Sequence, residues 1–493
     1  MSFKTKGNHG FFTSKHKHDV TDNSDSTPSG SMPSKENEPS FCSSKQPADI
    51  RRAILTLALP ALVEFGLMMI VQMVDMIQVG SLGPWAIAAT GLAAQPTMLI
   101  FSVFSALVVG TTALVARAAG AGDRDYACRV TRQSFVIVLI MGVVITIIGI
   151  LASGSIIRLM GASADTIKPA TAYMKIIMAG TIFAVGNMVL AASLRGAGDM
   201  ITPMTSNMVA NIVNIFGNWV LINGKLGFPR WEVAGAAAAT SLSRMVAFFI
   251  TFHAVYKRNK FIQISFHDSY RFEPDIIRDV LNIGIPAAVE QLVMRGGTLL
   301  FARLIAGFGT LMFAVHQIAM NIEGLSLVPV MAFQMATTTL VGQSLGAKKP
   351  EISEEVTRQS ILISISIMSL IGLFFFLFGK YAVKIFTKDA DAISLGASAL
   401  KILAFSQPTT AVYFVLAGAL RGAGDTKYTM YVSTVCVWGV RLMLGYLLAN
   451  VFGMKLIGAW IAVVADMLVR MLLALKRFLS GHWKQVFVIE EYS

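Results

Sequence analysis

Residues 194–199 read LRGAGD, and residues 420–425 read LRGAGD again. The match does not stand alone. PALVE at 60–64 returns as PAAVE at 286–290, VTRQS at 130–134 returns unchanged at 356–360, and LVAR at 114–117 is answered by LVGQ at 340–343. Each pair lies 226 positions apart (420 against 194), with no net insertion between Pro60 and Asp199. A chain that writes one pattern twice in a fixed register folds as two copies of one unit, and such self-similarity constrains the architecture before local propensity does.

Composition says what the unit is made of. The 493 residues are 55% hydrophobic and 14% charged, with a mean hydropathy of +0.64, whereas a soluble domain carries about 25% charged residues. A helix needs about 20 apolar residues to cross a bilayer core. Six such runs lie between residues 54 and 256 and six between 280 and 478. An even number per half brings both halves in from the same side, so the repeat is parallel rather than inverted. The expected fold is an all-α membrane protein of twelve transmembrane helices in two six-helix lobes. These lobes span 50–260 and 280–480, joined by a cytoplasmic linker at 261–279 and followed by a short tail at 481–493.

Residues 1–49 are polar and rich in Ser, Lys and Pro, and read as a disordered tail. They contain no apolar core of a signal peptide, and His9, His16 and His18 read as solvated rather than as metal ligands. The three cysteines, Cys42, Cys128 and Cys436, are too scattered for a disulfide framework or a metal site. The net charge of +13 fits basic residues gathered at one membrane face and does not call for nucleic acid. With the N-terminus inside, roughly 20 Lys and Arg fall in cytoplasmic segments against roughly 8 outside. Both termini are then expected in the cytoplasm, with the chain in the plasma (inner) membrane as a monomer.

LRGAGD falls at the corner between the fourth and fifth helices of each half. Gly196 and Gly422 are expected to end a helix in a left-handed conformation, and Asp199 and Asp425 to cap the next. Arg195 and Arg421 should reach the headgroups or pair with those aspartates. A phosphate-binding reading fails, because no strand precedes the glycines and no Lys-Ser or Lys-Thr follows. Residues repeated in both halves more often hold a scaffold, so chemistry is sought where the halves differ.

Ionisable residues inside a span are costly and mark sites by default. The first helix carries Glu64, Gln72 and Asp75; eleven residues at about 100° each bring Asp75 back to the face of Glu64. Glu64 repeats as Glu290, four residues after a proline in both halves, where a carboxyl serves either a freed backbone group or transport. Asp75 has Phe301 as its counterpart. A lone carboxylate in low dielectric is suited to exchange protons. On the fifth helix Asn207, Asn211, Asn214 and Asn218 share one face and are expected to line a wet cavity. His316 and Glu323 share a face of the eighth helix and form a possible second polar cluster, with Arg295, Arg303 and Arg441 as the other charged candidates. Met residues beside the acidic stripe, Met68, Met69, Met73 and Met76, suit an adaptable lining.

Together, Pro60 followed by Val74-Asp75, the VGSLG turn, the LVxxxxGA loop and the LRGAGD corner resemble the multidrug and toxic compound extrusion (MATE) transporters. AVHQIAMNIEGLSLVP at 314–329 is similar to the branch that includes the DNA-damage-inducible efflux proteins. The resemblance covers about residues 50–478. It implies two lobes that open to alternate sides and export organic, often cationic, compounds in exchange for H⁺ or Na⁺. It also implies that Asp75 is the coupling carboxylate, with Asn214 near it. Asn218 stands where some members carry Asp, which weakens a two-carboxylate Na⁺ site and favours H⁺. The other reading is an exporter or flippase of a lipid-linked compound or specific metabolite, which would favour a strongly basic cavity. A major-facilitator transporter fits the loop spacing poorly, and a nucleotide-driven pump lacks its phosphate loop. No catalytic set, metal cluster or cofactor motif can be assembled from the spans.

Overall fold

The computed structural model describes residues 46–257, 261–265 and 270–486. The first half consists of α1 (Pro47–Gly80), α2 (Pro84–Ala121), α3 (Arg124–Leu159), α4 (Ile167–Ala179 and Thr181–Gly196), α5 (Ile201–Asn223) and α6 (Glu232–Lys257). The second half consists of α7 (Pro274–Ala306), α8 (Thr310–Gly346), α9 (Pro350–Lys384), α10 (Ala390–Gly422), α11 (Thr426 to Val451) and α12 (Lys455–Leu479). Four of them, α1, α2, α7 and α9, open on a proline, which is preorganised for a first turn and loses no hydrogen bond there.

Nine of these helices are long and apolar enough to span a bilayer, and α4, bent by 44° at its break, makes a tenth. The other two, α5 and α7, hold the remaining places of the repeat. They fall short because α5 carries its asparagines and α7 several charges along otherwise apolar runs. Within α11 the backbone is wound in π turns over Cys436–Leu442 and Leu447–Val451, where the sequence predicts a plain span.

Some boundaries move. The tail assigned to 1–49 lies outside the described residues up to 45, and Pro47–Asp49 already form the first turn of α1. The linker assigned to 261–279 is helical from Pro274, because that proline starts α7. In the segment assigned as a tail from 481, Trp483 is fully buried and stacks on Phe478 at 5.0 Å, so burial of the indole folds the chain back onto the helices.

The corners also differ from expectation. Gly198 and Gly424, not Gly196 and Gly422, take positive φ, at 90° and 83°. Gly196 and Gly422 stay helical and serve close packing instead. A Cβ on Gly196 would lie 2.8 Å from the Thr112 carbonyl oxygen, and one on Gly422 2.3 Å from that of Thr338. Asp199 caps α5 by accepting from the Thr202 amide at 3.0 Å, as expected. Asp425 instead accepts from Arg477 Nε at 2.7 Å.

The repeated corners join the lobes. Gln343 of α8 donates from Nε2 to the Gly196 carbonyl at 3.0 Å, and its repeat counterpart Arg117 of α2 donates from Nη2 to the Ala423 carbonyl at 3.2 Å. The two second helices meet at paired glycines. A Cβ on Gly120 would sit 1.8 Å from the Gln343 oxygen, and one on its counterpart Gly346 2.0 Å from the Arg117 oxygen. Every residue from 110 to 120 and from 339 to 344 is buried. Toward the other end Met68, Met73, Met76, Leu99 and Leu325 are exposed. The lobes therefore close against each other at the end carrying the corners and part toward the opposite end.

Candidate functional site

Because α1 and α5 run in the same direction, polar residues on their facing sides meet 143 positions apart. Asn207 Nδ2 donates to Glu64 Oε1 at 2.6 Å and Asn218 Nδ2 to Asp75 Oδ1 at 2.7 Å. The two polar stripes read from spacing do face one another. They form two separate sites.

The first ties helices of one half together. Glu64 is buried and forms an ion pair with Arg195. Its counterpart Glu290 accepts from Arg421 Nη2 at 2.9 Å, and from Ser433, which stands at the position of Asn207, at 2.8 Å. Thr429 adds a third bond at 3.1 Å. The corner arginines thus bind the first helix of their own half rather than headgroups or the corner aspartates. Glu64 and Glu290, expected to line the cavity, tie α1 to α4 and α7 to α10, because each buried carboxylate must be met by a charge or by donors.

The second site centres on Asp75, half-buried on α1. The Asn214 amide fits best with its nitrogen toward Asp75, donating to Oδ1 at 2.7 Å, while its oxygen accepts from Thr240 Oγ1 of α6 at 3.2 Å. Such orientations are assigned from the hydrogen-bond network. Asp75 is therefore held by two neutral amides. The Asn218 oxygen is buried without a partner. Tyr173 of α4 lies in the field of both Asp75 and Arg244 of α6. Asn211 keeps a buried, unpartnered amide nitrogen, and Gln72 is exposed; neither bonds Asp75. Thr240 and Tyr173 carry no periodic signal in the sequence, whereas Arg244, an ionisable residue within a span, is readable there and was not singled out.

The C lobe differs at the same level. At the place of Asp75 stands Phe301, packed edge-on against His316 at 5.9 Å, and His316 in turn lies 5.3 Å from the Trp460 ring. Thr240 is replaced by Asp466 and Arg244 is matched by Arg470. Asp466 is fully buried; it accepts from Arg441 Nη2 at 2.6 Å and from Arg470 Nε at 3.0 Å. Arg470 continues to Ser433 at 3.1 Å. Glu323, half-buried on α8, lies in the field of Arg441 and Asp466 without an ion pair to either. His316 thus packs among aromatic rings while Glu323 lies in the field of Arg441, and no bond joins the two residues into a cluster. Asp466 and Arg470 were missed, although an acid and a base four residues apart in an apolar run are a readable helix pair. Among the described residues no group of three or more His, Cys, Asp or Glu side chains could hold a metal ion.

The MatE family model matches residues 60–220 and again residues 286–447, once per half and at the offset of the repeat. The chain belongs to the MATE family of transporters. It is 33% identical to a probable multidrug resistance protein NorM of Thermotoga maritima over 441 residues, covering 90% of this chain and 95% of that protein. It is 27% identical to the uncharacterized transporter YisQ of Bacillus subtilis, over 90% of this chain and 97% of the relative. Among solved structures, an outward-facing conformation of a multidrug resistance MATE transporter superposes with a TM-score of 0.83 at 27% identity, covering 88% of this chain and 97% of that one. This MATE chain therefore shares the family's two-lobed helical fold, with Asp75 and its amides in the N lobe and the arginine-clamped Asp466 in the C lobe.

Proposed function

We propose that this protein is a secondary antiporter of the plasma membrane that exports organic cations in exchange for protons. The observation that carries the reading is the setting of Asp75, a carboxylate within a span whose bonded partners, Asn214 and Asn218, are both neutral. Charge of this kind in low dielectric is balanced by a mobile ion. A proton and a cationic substrate then compete for the same negative charge. Each shifts the conformational equilibrium only by its differential affinity for the two states. Protonated Asp75 becomes a donor, and the unpartnered Asn218 oxygen is the acceptor beside it. With Asn rather than Asp at 218 there is a single carboxylate, which suits one proton better than a sodium ion seeking several charged oxygens.

With both termini in the cytoplasm and the monomer as the working unit, the closed end faces inward and the structure is outward-open. The paired glycines of α2 and α8 seal the inner side. The test is efflux of ethidium from proteoliposomes under separate pH and Na⁺ gradients, for wild type and Asp75→Asn. Transport driven by the pH gradient and lost in the variant is expected. Transport driven only by Na⁺ would reassign the coupling ion, and absence of transport under both would turn the reading toward a lipid-linked or metabolite exporter.

A further inference from the structure

The two lobes also differ at the closed end. A cleft of about 380 Å³ lies there between the first turns of α3 and the segment that joins the lobes. Its lining sets three guanidiniums, Arg124, Arg129 and Arg132, against one carboxylate, Asp125, with Gln263 and Ser265 supplied by the joining segment. In the C lobe the repeat puts Pro350, Glu355 and Arg358 in place of those arginines, Glu351 in place of Asp125, and Glu354 in place of Cys128. One lobe thus presents three bases and one acid, the other one base and three acids. The C-lobe acids are answered within the protein: Glu354 pairs with Lys484 at 2.5 Å, and Glu355 accepts from Gln359 Nε2 and lies 3.5 Å from Arg358.

The depth of the cleft follows from the sequence of α3. Between Arg132 and Arg158 the helix carries no charged residue, a stretch of about 39 Å at about 1.5 Å per residue. A bilayer measures about 40–45 Å with its headgroup layers, so Arg132 stands at headgroup depth, with Arg129 and Arg124 one and two turns beyond it. The joining segment is fastened to the same turns. Arg124 donates from Nε to the Phe261 carbonyl at 3.2 Å and from Nη2 to Gln263 Oε1 at 3.0 Å, and the Gln263 amide donates to the Cys128 sulfur at 3.5 Å. Glu273 meets Arg129 at 3.1 Å, but both side chains are open to water, and such a pair is weak. Among the described residues the lining is polar apart from Cys128 and net positive. Guanidinium forks in this number match a multi-oxygen anion, and a phosphate offers more acceptor oxygens than a carboxylate. Basic pockets at this depth recognise anionic lipid headgroups.

We infer that the N lobe carries a phosphate site at its closed end, anchored on Arg124, Arg129 and Arg132 and filled by the headgroup of an anionic phospholipid. A free organic phosphate has the same chemistry, but a cleft at headgroup depth meets lipid first. A phosphate bound there bridges α3 to the segment that leads into α7, and so ties that segment to the N lobe. The C lobe has no equivalent, because the acids at the matching positions repel phosphate. The site is separate from Asp75 and does not depend on the ion exchanged there.

The test is lipid binding to the purified full chain, read by native mass spectrometry with phosphatidylglycerol and phosphatidylcholine of identical acyl chains. Wild type should prefer phosphatidylglycerol. Arg129→Gln and Arg132→Gln should each lower that preference about fivefold, the worth of one basic residue at a charged membrane surface. Arg358→Gln, at the repeat counterpart of Arg132, should leave it unchanged. Melting temperatures without added lipid are read alongside, and Arg129, exposed on α3, is the variant whose fold is least disturbed. A preference that falls equally in Arg358→Gln, or that moves in none of the variants, overturns the site. Glycerol 3-phosphate, which lacks acyl chains, separates the two sources. If it binds with the same arginine dependence while phosphatidylglycerol shows no preference, the phosphate site stands and its ligand is a soluble organic phosphate. If wild type distinguishes neither lipid and binds no glycerol 3-phosphate, the site is overturned.

Discussion

Asp75 in the N lobe and Asp466 in the C lobe occupy one layer of two copies of the same fold, on different helices and in opposite company. Asp75 on α1 faces Asn214 and Asn218, with Thr240 behind them. Asp466 on α12 takes the place of that threonine and is clamped by Arg441 and Arg470. A carboxylate held by amides can lose or gain charge without stranding another. One held between two guanidiniums cannot, because neutralising it leaves two buried cations uncompensated. Where the halves agree, at Glu64–Arg195 and Glu290–Arg421, the bonds fasten helices together. Duplication therefore separates scaffold from chemistry. The repeated pairs build the lobes, and the unrepeated carboxylates distinguish what each lobe does.

The sharpest way to break this comparison is to neutralise Asp466. Asp466→Asn should destabilise the protein by about 3–5 kcal/mol, the range for removing one partner of a buried ion pair, read as thermal unfolding in detergent. A loss below about 1 kcal/mol would mean that the clamp is solvated and that the C lobe is not locked as described. A smaller effect tests the shared scaffold. Glu64→Gln and Glu290→Gln should each cost about 1.5–3 kcal/mol, the contribution of a hydrogen bond to a charged group. The two losses should agree closely. If one is negligible while the other is large, the ties are not equivalent and the halves differ below the Asp75 layer too.

Much of the contrast is legible in the sequence, and its limits are physical. The offset repeat reveals the two-lobed architecture, and the spacing of Glu64 and Asp75 against the four asparagines reveals which faces of α1 and α5 meet. Asp75 stands out because Phe301 replaces it. What spacing does not carry is the identity of partners on helices distant in the chain. Arg195 and Arg421 look like headgroup anchors until the fold sets them against Glu64 and Glu290. In the corner both glycines are permitted in a left-handed turn by local rules, and only the approach of the Thr112 and Thr338 carbonyls decides that Gly196 and Gly422 stay in the helix. The pair of Asp466 and Arg470 is readable as an i,i+4 spacing, but the clamp on Asp466 is not, because its second arginine, Arg441, comes from another helix.

The smallest expected effect is also the one that separates stability from function. At Asp75 the two amides converge chiefly on a single oxygen, Oδ1, at 2.7 Å from each nitrogen. In Asp75→Asn the new carbonyl oxygen can take both of those bonds, and the added NH₂ replaces an oxygen that no guanidinium approaches. Removing an unbalanced charge from low dielectric offsets the weaker hydrogen bonds that remain. The melting midpoint should therefore correspond to a change within about 1 kcal/mol, even as coupled efflux is lost. Asp466 cannot be replaced so mildly, since each of its oxygens is used by a different arginine and an amide would turn its NH₂ toward one of them. If Asp75→Asn instead costs as much as Asp466→Asn, Asp75 has a cationic partner in the folded state. Arg244, which shares Tyr173 with it, is then the residue to neutralise next.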